Sequence, residues 1–147
     1  MNKSDTRNGK VKEFSCHKIS KGKAEGEALI SKDDINFYLV EPASGDVIER
    51  NHDLNGECVA GKVLIFPSGK GSSVVQADGM YQLAMQGTQP AALIIQHPDT
   101  VLVASSIIME MPMVDRLGDD FYQFVEDGDY LELDADAGVI RVTKQGN

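Results

Sequence analysis

The residues best suited to chemistry form one short glycine-rich turn, Gly69-Lys70-Gly71-Ser72-Ser73. Glycine permits backbone conformations with positive φ, so the N–H groups of such a turn can converge on an anion. The lysine between the two glycines adds a positive charge, and two adjacent hydroxyl groups follow it. A helix that begins directly after the turn offers further N–H groups without intrahelical acceptors. The pattern therefore predicts an anion site that carries a hydroxyl group.

Two common phosphate-binding motifs do not fit this turn. A P-loop needs a glycine five residues before its Gly-Lys pair and a serine or threonine directly after it, but Leu64 and Gly71 occupy those positions. A dinucleotide-binding fingerprint needs a third glycine where Val74 stands. What remains is a turn whose serines precede a helix. On this pattern alone, a simple helix cap at Ser72 or Ser73 is the favoured interpretation.

A predicted strand and a predicted helix hold this turn on either side. The apolar run at 63–66 is typical of a buried strand, and Pro67 ends it. Apolar residues then recur every three to four positions up to Gly87, which predicts a helix with a glycine at its C-terminal end. The run at 91–96 is apolar almost throughout, as in a strand buried on both faces. Residues 62–96 therefore predict a βαβ unit with a right-handed crossover.

The remaining chain is predicted to add a second layer of strands. Short β-like runs occur at 11–19, 27–31 and 35–40, and we interpret the apolar patch at 121–125 as a further strand. Alternating apolar residues on both sides of an Ala-Asp-Ala-Gly turn predict a hairpin over 130–143. The expected fold is an α/β domain with a short parallel core sheet, one βαβ unit, a second layer of strands and little other helix.

The length of the chain predicts one domain over residues 11–147, because 147 residues with 41% hydrophobic content suffice for one core. Residues 1–10 lack apolar periodicity and are predicted to be a disordered leader. Cys16 lies next to His17, but adjacent strand residues point to opposite faces, so no metal site is expected there. We expect His52 to be an exposed loop histidine.

The overall composition excludes several classes of function. A net charge of −9 argues against a nucleic-acid partner, for which a basic face is needed. The chain has a polar N-terminus and contains no apolar run of about 20 residues, so we expect no membrane association and a cytoplasmic location. Two cysteines without Cys-x-x-Cys spacing fit a reducing compartment and are too few to hold a cluster.

Several of these motifs resemble the small subunit, or swivelling domain, of the aconitase X family. The resemblance extends over about residues 23–115 and is carried by the Gly-Lys-Gly-Ser-Ser run, the Gln-Pro-Ala-Ala-Leu-Ile-Ile run at 89–95 and the Met-Pro-Met-Val-Asp run at 111–115. The turn is also similar to that of ordinary aconitases, in which the first serine is the catalytic base. Val74 stands where those enzymes carry a substrate-binding arginine.

This resemblance implies a swivelling β/β/α domain that acts in a two-subunit hydro-lyase. In the family, a large subunit holds an iron–sulfur cluster or iron, which acts as a Lewis acid on the hydroxyl that leaves as water. This chain is expected to hold no cofactor or metal. It would supply Ser72 as the catalytic base, with Gly69, Lys70, Gly71 and Ser73 binding the substrate. A serine hydroxyl can act as a base only where N–H groups, a helix N-terminus or a cation stabilise its alkoxide.

The family implies two substrates for such a complex. We favour cis-3-hydroxy-L-proline and keep 5-phosphomevalonate as the second choice. The expected partners are the aconitase X large subunit and a small anionic substrate, and the sequence leaves open whether the isolated chain forms a homo-oligomer. The alternative function is a non-catalytic, stand-alone swivelling module that binds an anionic metabolite and uses Ser72 only as a helix cap. A co-purifying larger chain with several cysteines would favour the enzyme.

Overall fold

The apolar runs of the sequence become the strands and helices of a computed structural model, which describes residues 10–145. Its strands are β1 (Val11–Ser15), β2 (His17–Ser20), β3 (Lys23–Ile30), β4 (Val63–Phe66), β5 (Ala92–Ile95), β6 (Met113–Asp115), β7 (Tyr130–Asp134) and β8 (Val139–Thr143). Its helices are α1 (Ser73–Gln86), α2 (Thr100–Ile108) and α3 (Asp119–Phe124), with a 3₁₀ turn at Phe37–Leu39. Apart from Lys10, the predicted leader lies outside the described residues. Over this range, no helix has the length and apolar character needed to cross a membrane.

Strand β3 belongs to two sheets, because its two halves pair with different neighbours. Residues 23–27 pair antiparallel with β7, and residues 28–30 pair parallel with β4. The order across both sheets is β1-β8-β7-β3-β4-β5-β6-β2. Strands β3, β4, β5 and β6 are parallel, and β2 closes the edge as an antiparallel strand. A parallel core sheet and an antiparallel sheet are thus joined through one continuous strand.

The two sheets and the helices stack as three layers around two cores. Val63 and Ile65 of β4 face the core shared with the antiparallel sheet, whereas Leu64 and Phe66 face the core shared with α1 and α2. Strand β5 alternates in the same way. Burial on both faces explains why β4 and β5 are continuous apolar runs. The arrangement is the β/β/α fold that the resemblance implies, and the predicted βαβ unit lies at its centre.

Two sequence-based predictions of secondary structure are wrong, and one helix was not predicted. Residues 35–40 were expected to form a strand, but Asn36 accepts the N–H of Tyr38 through its side chain and starts the 3₁₀ turn instead. Residues 121–125 were expected to form a strand, but most of them lie in α3, where the Phe121 ring packs edge-to-face on Phe14 at a centroid distance of 5.4 Å. Helix α2 was not predicted, because its apolar residues lie on all sides and show no 3.6-residue period.

Cys16 lies between β1 and β2, and His17 is the first residue of β2. His17 Nδ1 is 2.7 Å from Asp115 Oδ1 on β6, so the histidine ties the edge strand to the sheet. Burial raises the pKa of the Cys16 thiol to about 11, and the negative charges of Asp115 and Asp134 add to the rise. A thiol that keeps its proton is a poor metal ligand and a poor nucleophile.

Helix α1 contacts the 3₁₀ turn through Gly79. A Cβ at this position would lie 2.4 Å from the carbonyl carbon of Phe37 and 2.4 Å from the backbone nitrogen of Tyr38. Backbone atoms cannot swing away as the end of a flexible side chain can. A glycine within a helix normally costs about 1 kcal/mol relative to alanine. Here the glycine allows α1 to pack directly on the backbone of the 3₁₀ turn.

We expect Gly79→Ala to lower the free energy of unfolding by about 1–3 kcal/mol, because overpacking against backbone outweighs the gain in helix propensity. Urea denaturation followed by far-UV circular dichroism measures the change. Asp78→Ala is the matched control, since Asp78 is exposed on the same helix and its replacement should alter stability by no more than about 0.5 kcal/mol. A more stable Gly79→Ala variant would contradict the packing described.

Candidate functional site

The serine turn, residues 69–73, lies at the carboxyl edge of the parallel sheet, between β4 and α1. Two other loops reach the same edge: residues 31–36 follow β3, and residues 96–99 connect β5 to α2. The loops of adjacent parallel strands meet at this edge, and the N-termini of the following helices point towards it. The turn therefore lies on the edge of the sheet at which open α/β sheets bind ligands.

Hydrogen bonds fix the serine turn to the loops on both sides. The N–H of Lys70 donates to the Ile35 carbonyl at 3.0 Å, and the N–H of Ile35 donates to the Ser68 carbonyl at 2.9 Å. On the other side, the Ser68 hydroxyl donates to the His97 carbonyl at 2.7 Å, and the His97 N–H donates to the Pro67 carbonyl at 2.8 Å. The base of the turn is thus held firmly, while its tip is exposed to solvent.

The geometry of the turn favours glycine at both positions. Gly71 has a φ of +101°, in the region that favours glycine. A Cβ on Gly69 would lie 2.3 Å from Gln76 Oε1 and 2.8 Å from Asp99 Oδ2, so no larger residue fits there without a rearrangement. Both glycines allow the backbone to take this path, and their role in substrate binding stays a prediction.

Ser72 and Ser73 stand at the start of α1 with exposed side chains. Ser72 is the N-cap residue, and its hydroxyl accepts the N–H of Val75 at 3.4 Å. This distance is longer than the usual 2.7–3.2 Å of such a bond, so the cap is a weak one. Ser73 is the first residue of the helix, and the N–H groups of Ser73 and Val74 have no acceptor within it. A hydroxyl group at the positive end of a 14-residue helix is therefore open to solvent.

Lys70 forms an ion pair that the sequence did not predict. Its ammonium group contacts the carboxylate of Glu49, which lies 21 residues earlier. The side chain of Glu49 is 20% exposed and that of Lys70 is 41% exposed, so the pair lies at the rim of the site. Glu49 offsets the positive charge expected there. Lys70 can bind a substrate anion only by sharing or leaving this carboxylate.

A second residue missed from the sequence, Gln76, lies beneath the turn. Its Nε2 donates to Asp99 Oδ2 at 3.0 Å and to the Gly71 carbonyl at 3.3 Å. Asp99 in turn caps α2, because its other oxygen accepts the N–H of Val101 at 3.4 Å. Gln76 is 3% exposed, and within the described chain its Oε1 has no hydrogen-bond partner. The hydrogen bonds of Gln76 could have been predicted from one sequence signal, which is a polar residue among the inward-facing positions of α1.

His52 is buried, so the prediction of an exposed loop histidine is wrong. Its Nε2 lies 2.9 Å from the Asp34 carbonyl oxygen, and its Nδ1 accepts the N–H of Leu54 at 2.9 Å. Because both ring nitrogens have partners, the imidazole can be buried at little cost. His52 holds its loop to the segment after β3 and has no hydrogen bond to the serine turn.

The described residues do not fit the iron centre that the resemblance implies for the complex. Across residues 10–145, no three His, Cys, Asp or Glu side chains are grouped so as to hold a metal ion. Of the two cysteines, Cys16 keeps its proton, and Cys58 donates its S–H to the Ser44 carbonyl at 3.3 Å. Iron–sulfur clusters are held by thiolates. This donor set therefore does not suit a cluster.

Comparison with known proteins adds evidence that is independent of this geometry. A family model described as "Aconitase X swivel domain" matches residues 13–142. The phosphomevalonate dehydratase small subunit of Methanosarcina mazei is 44% identical over 134 residues, which cover 90% of this chain and 92% of the relative. The protein of the same name from Methanocella arvoryzae is 44% identical over 128 residues, which cover 86% and 96%. These names agree with the dehydratase small subunit expected from the sequence.

A solved structure agrees with the same assignment. The crystal structure of aconitase X from Thermococcus kodakaraensis, in its holo-form, matches with a TM-score of 0.81 and 33% sequence identity. The match covers 89% of this chain and 98% of the other. The residues matched by the family model include the serine turn, its flanking loops and helices α1 and α2. The chain belongs to the aconitase X family and forms its swivel domain.

Proposed function

We propose that this chain is the small subunit of a phosphomevalonate dehydratase, an aconitase X-type hydro-lyase. The observation that carries the proposal is the exposed hydroxyl of Ser72 at the positive end of α1, on the carboxyl edge of the parallel sheet. The names of the relatives favour 5-phosphomevalonate as the substrate. They give no support to cis-3-hydroxy-L-proline, which we favoured from the sequence, so 5-phosphomevalonate takes its place.

Ser72 is proposed to act as the base. Dehydration of a 3-hydroxy acid removes a proton from the carbon next to the carboxylate and the hydroxyl group from the following carbon. Ser72, as its alkoxide, would take that proton. The helix N-terminus and the N–H groups of Ser73 and Val74 would stabilise the negative charge, since they carry no intrahelical hydrogen bonds. The weak 3.4 Å cap leaves the hydroxyl available for this role.

The proposed substrate carries two anionic groups, a carboxylate and a phosphate, and the turn offers two places for them. One is the set of N–H groups at the start of α1. The other is Lys70, which we propose exchanges Glu49 for a substrate anion when the substrate binds. Hydrogen bonds from an ammonium group to a carboxylate and to a phosphate are both charge-assisted, so the exchange replaces one such bond with another of the same kind. Glu49 would hold Lys70 in place until then.

The proposed site is completed by another chain. The tip of the serine turn is exposed, whereas stabilisation of an alkoxide by N–H groups and dipoles is effective only where water is excluded. The name "small subunit" given to the relatives implies a large subunit. We propose that this subunit covers Ser72 and holds the cofactor for which the described residues of this chain offer no ligand set.

We expect Ser72→Ala to lower kcat by about 100-fold or more in the complex of both subunits, because it removes the proposed base. Turnover is measured by mass spectrometry of the dehydrated product. Ser72→Gly also removes the hydroxyl but keeps most of the helix-capping energy, so equal losses in both variants separate the base from the cap. Ser73→Ala is the matched control and should lose much less activity. Normal turnover in Ser72→Ala would leave Ser72 as a helix cap and would mean that another group of the complex is the base.

The substrate is tested by incubating the same complex with each candidate separately. We expect water to be lost from 5-phosphomevalonate, because the relatives are named for it, and no reaction with cis-3-hydroxy-L-proline. Turnover of cis-3-hydroxy-L-proline alone would overturn the proposed substrate without touching the assignment of Ser72.

We expect Lys70→Met to reduce kcat/KM about 10-fold to 100-fold, chiefly through a higher KM, because a charge-assisted hydrogen bond to the substrate is lost. Glu49→Gln is the paired variant. It frees the ammonium group and should leave KM unchanged or lower it. Steady-state kinetics at a fixed ionic strength measure both effects. If Lys70→Met lowers thermal stability but not kcat/KM, the pair with Glu49 is structural and Lys70 does not bind substrate.

A further inference from the structure

Helices α1 and α2 expose large apolar side chains that the proposed chemistry does not use. Val74, Tyr81 and Met85 on α1 are 77%, 52% and 65% exposed, and Ile107 and Ile108 on α2 are 54% and 77% exposed. We call these five residues the helix-layer patch. They are five of the nine large apolar side chains that are exposed within residues 10–145. Exposed apolar residues are thus concentrated in two helices.

The same two helices are almost free of charge. Asp78 is the one charged residue in the fourteen residues of α1 and the nine of α2, although 25% of the whole chain is charged. The solvent face of a helix in a globular protein normally carries charged and polar residues. The patch is not needed for the core either, because the inward positions of α1 already fill it with Met80 and Leu83.

The opposite side of the molecule, in contrast, carries charged side chains on its solvent-exposed face. On the outer face of the antiparallel sheet, Glu13 pairs with Arg141 and Lys23 pairs with Asp134. The charges are therefore placed on the sheet layer and kept off the helix layer. Depletion of charged residues with enrichment of aromatic residues and methionine is the composition of an interface core.

We propose that the helix-layer patch is the surface on which the large subunit docks, an inference that rests on the proposed function. Tyr81 and Met85 follow Val74 by seven and eleven residues, which places all three on one face of α1. Val74 directly follows the two serines, so the patch runs from the serine turn along about 16 Å of helix. A partner that covers Ser72 therefore meets the patch.

The second helix widens this surface at its far end. Because α1 and α2 each follow one of two neighbouring parallel strands and pack on the same face of the sheet, they run in the same direction. Ala84 and Met109 line one small cavity, so the C-terminal ends of the two helices are adjacent. Met85 and Ile108 are the sequence neighbours of these two cavity residues, so both exposed side chains belong to the adjacent C-terminal ends of the two helices.

The charge of the chain favours the large subunit over a second copy as the occupant. Two copies would each bring a net charge of −9, and their repulsion opposes association. A second copy on the patch would also cover Ser72 without supplying a cofactor, for which the described residues of this chain offer no ligand set. The matching surface on the large subunit should be apolar, with a basic side chain opposite Asp78.

The test uses Met85→Lys and Ile108→Lys, two substitutions away from the serine turn. We expect each to raise the Kd for the large subunit at least about tenfold, because a charge is placed in an apolar interface core. At saturating large subunit, kcat should be unchanged. Val11→Lys is the matched control, since Val11 is 45% exposed on β1, outside the patch. Isothermal titration calorimetry gives the Kd, and thermal unfolding of the isolated chain verifies that each variant is folded.

The outcomes separate this inference from the proposed function. An unchanged Kd in both folded variants overturns the docking surface, whatever Ser72→Ala shows. A raised Kd together with full activity of Ser72→Ala supports the docking surface and removes the serine from the mechanism. If the isolated chain forms a dimer that Ile108→Lys dissociates, with no effect on the large subunit, the patch belongs to a second copy and the inference is wrong.

Discussion

The parallel register of β4 with β5 determines where the functional groups of this chain lie. Residues 63–66 align one to one with residues 92–95, and all eight are buried. The two strands therefore end at the same level, and the loops that follow them lie side by side. Because each face of the sheet covers a different core, a shift by one residue would exchange the side chains of both cores. The serine turn is thus attached to β4, a strand whose register is fixed by both cores.

The two interpretations of Ser72, as a helix cap and as the proposed catalytic base, do not exclude each other in this structure. A hydroxyl that caps a helix already lies at the positive end of the helix dipole, which is also where an alkoxide would be stabilised. The long bond to Val75 and the exposed side chain distinguish this serine from a cap that is fully engaged. Beneath it, Gln76 and Asp99 join the starts of two helices, so the position of the turn depends on both.

The parts of the fold that could be predicted are those specified by neighbouring residues. The strand before Pro67, the helix that ends at Gly87 and the C-terminal hairpin each have a local signal, and Gly87 takes the expected left-handed conformation with a φ of +75°. Residues 35–40 were missed because an apolar run hid the side-chain hydrogen bond of Asn36 that starts the 3₁₀ turn. Helix α2 was missed because its apolar residues show no helical period.

The residues of the site could likewise be predicted only where they are neighbours in the sequence. The glycines and serines could be found because they are contiguous. Glu49 and Asp99 could not, since each meets its partner across a gap of more than twenty residues that no periodicity describes. The sequence pattern could not decide between the two candidate substrates either, because a carboxylate and a phosphate would both suit a lysine beside free N–H groups.

The strand shared by both sheets has a mechanical consequence. Since β3 runs without a break from the antiparallel ladder into the parallel one, the two sheets are joined by continuous backbone at residues 27 and 28. Bending there would break backbone pairing in both sheets at once. Under the proposed function, an approach of the serine hydroxyl to a substrate on another polypeptide would therefore move both sheets together, with the joint between the two chains.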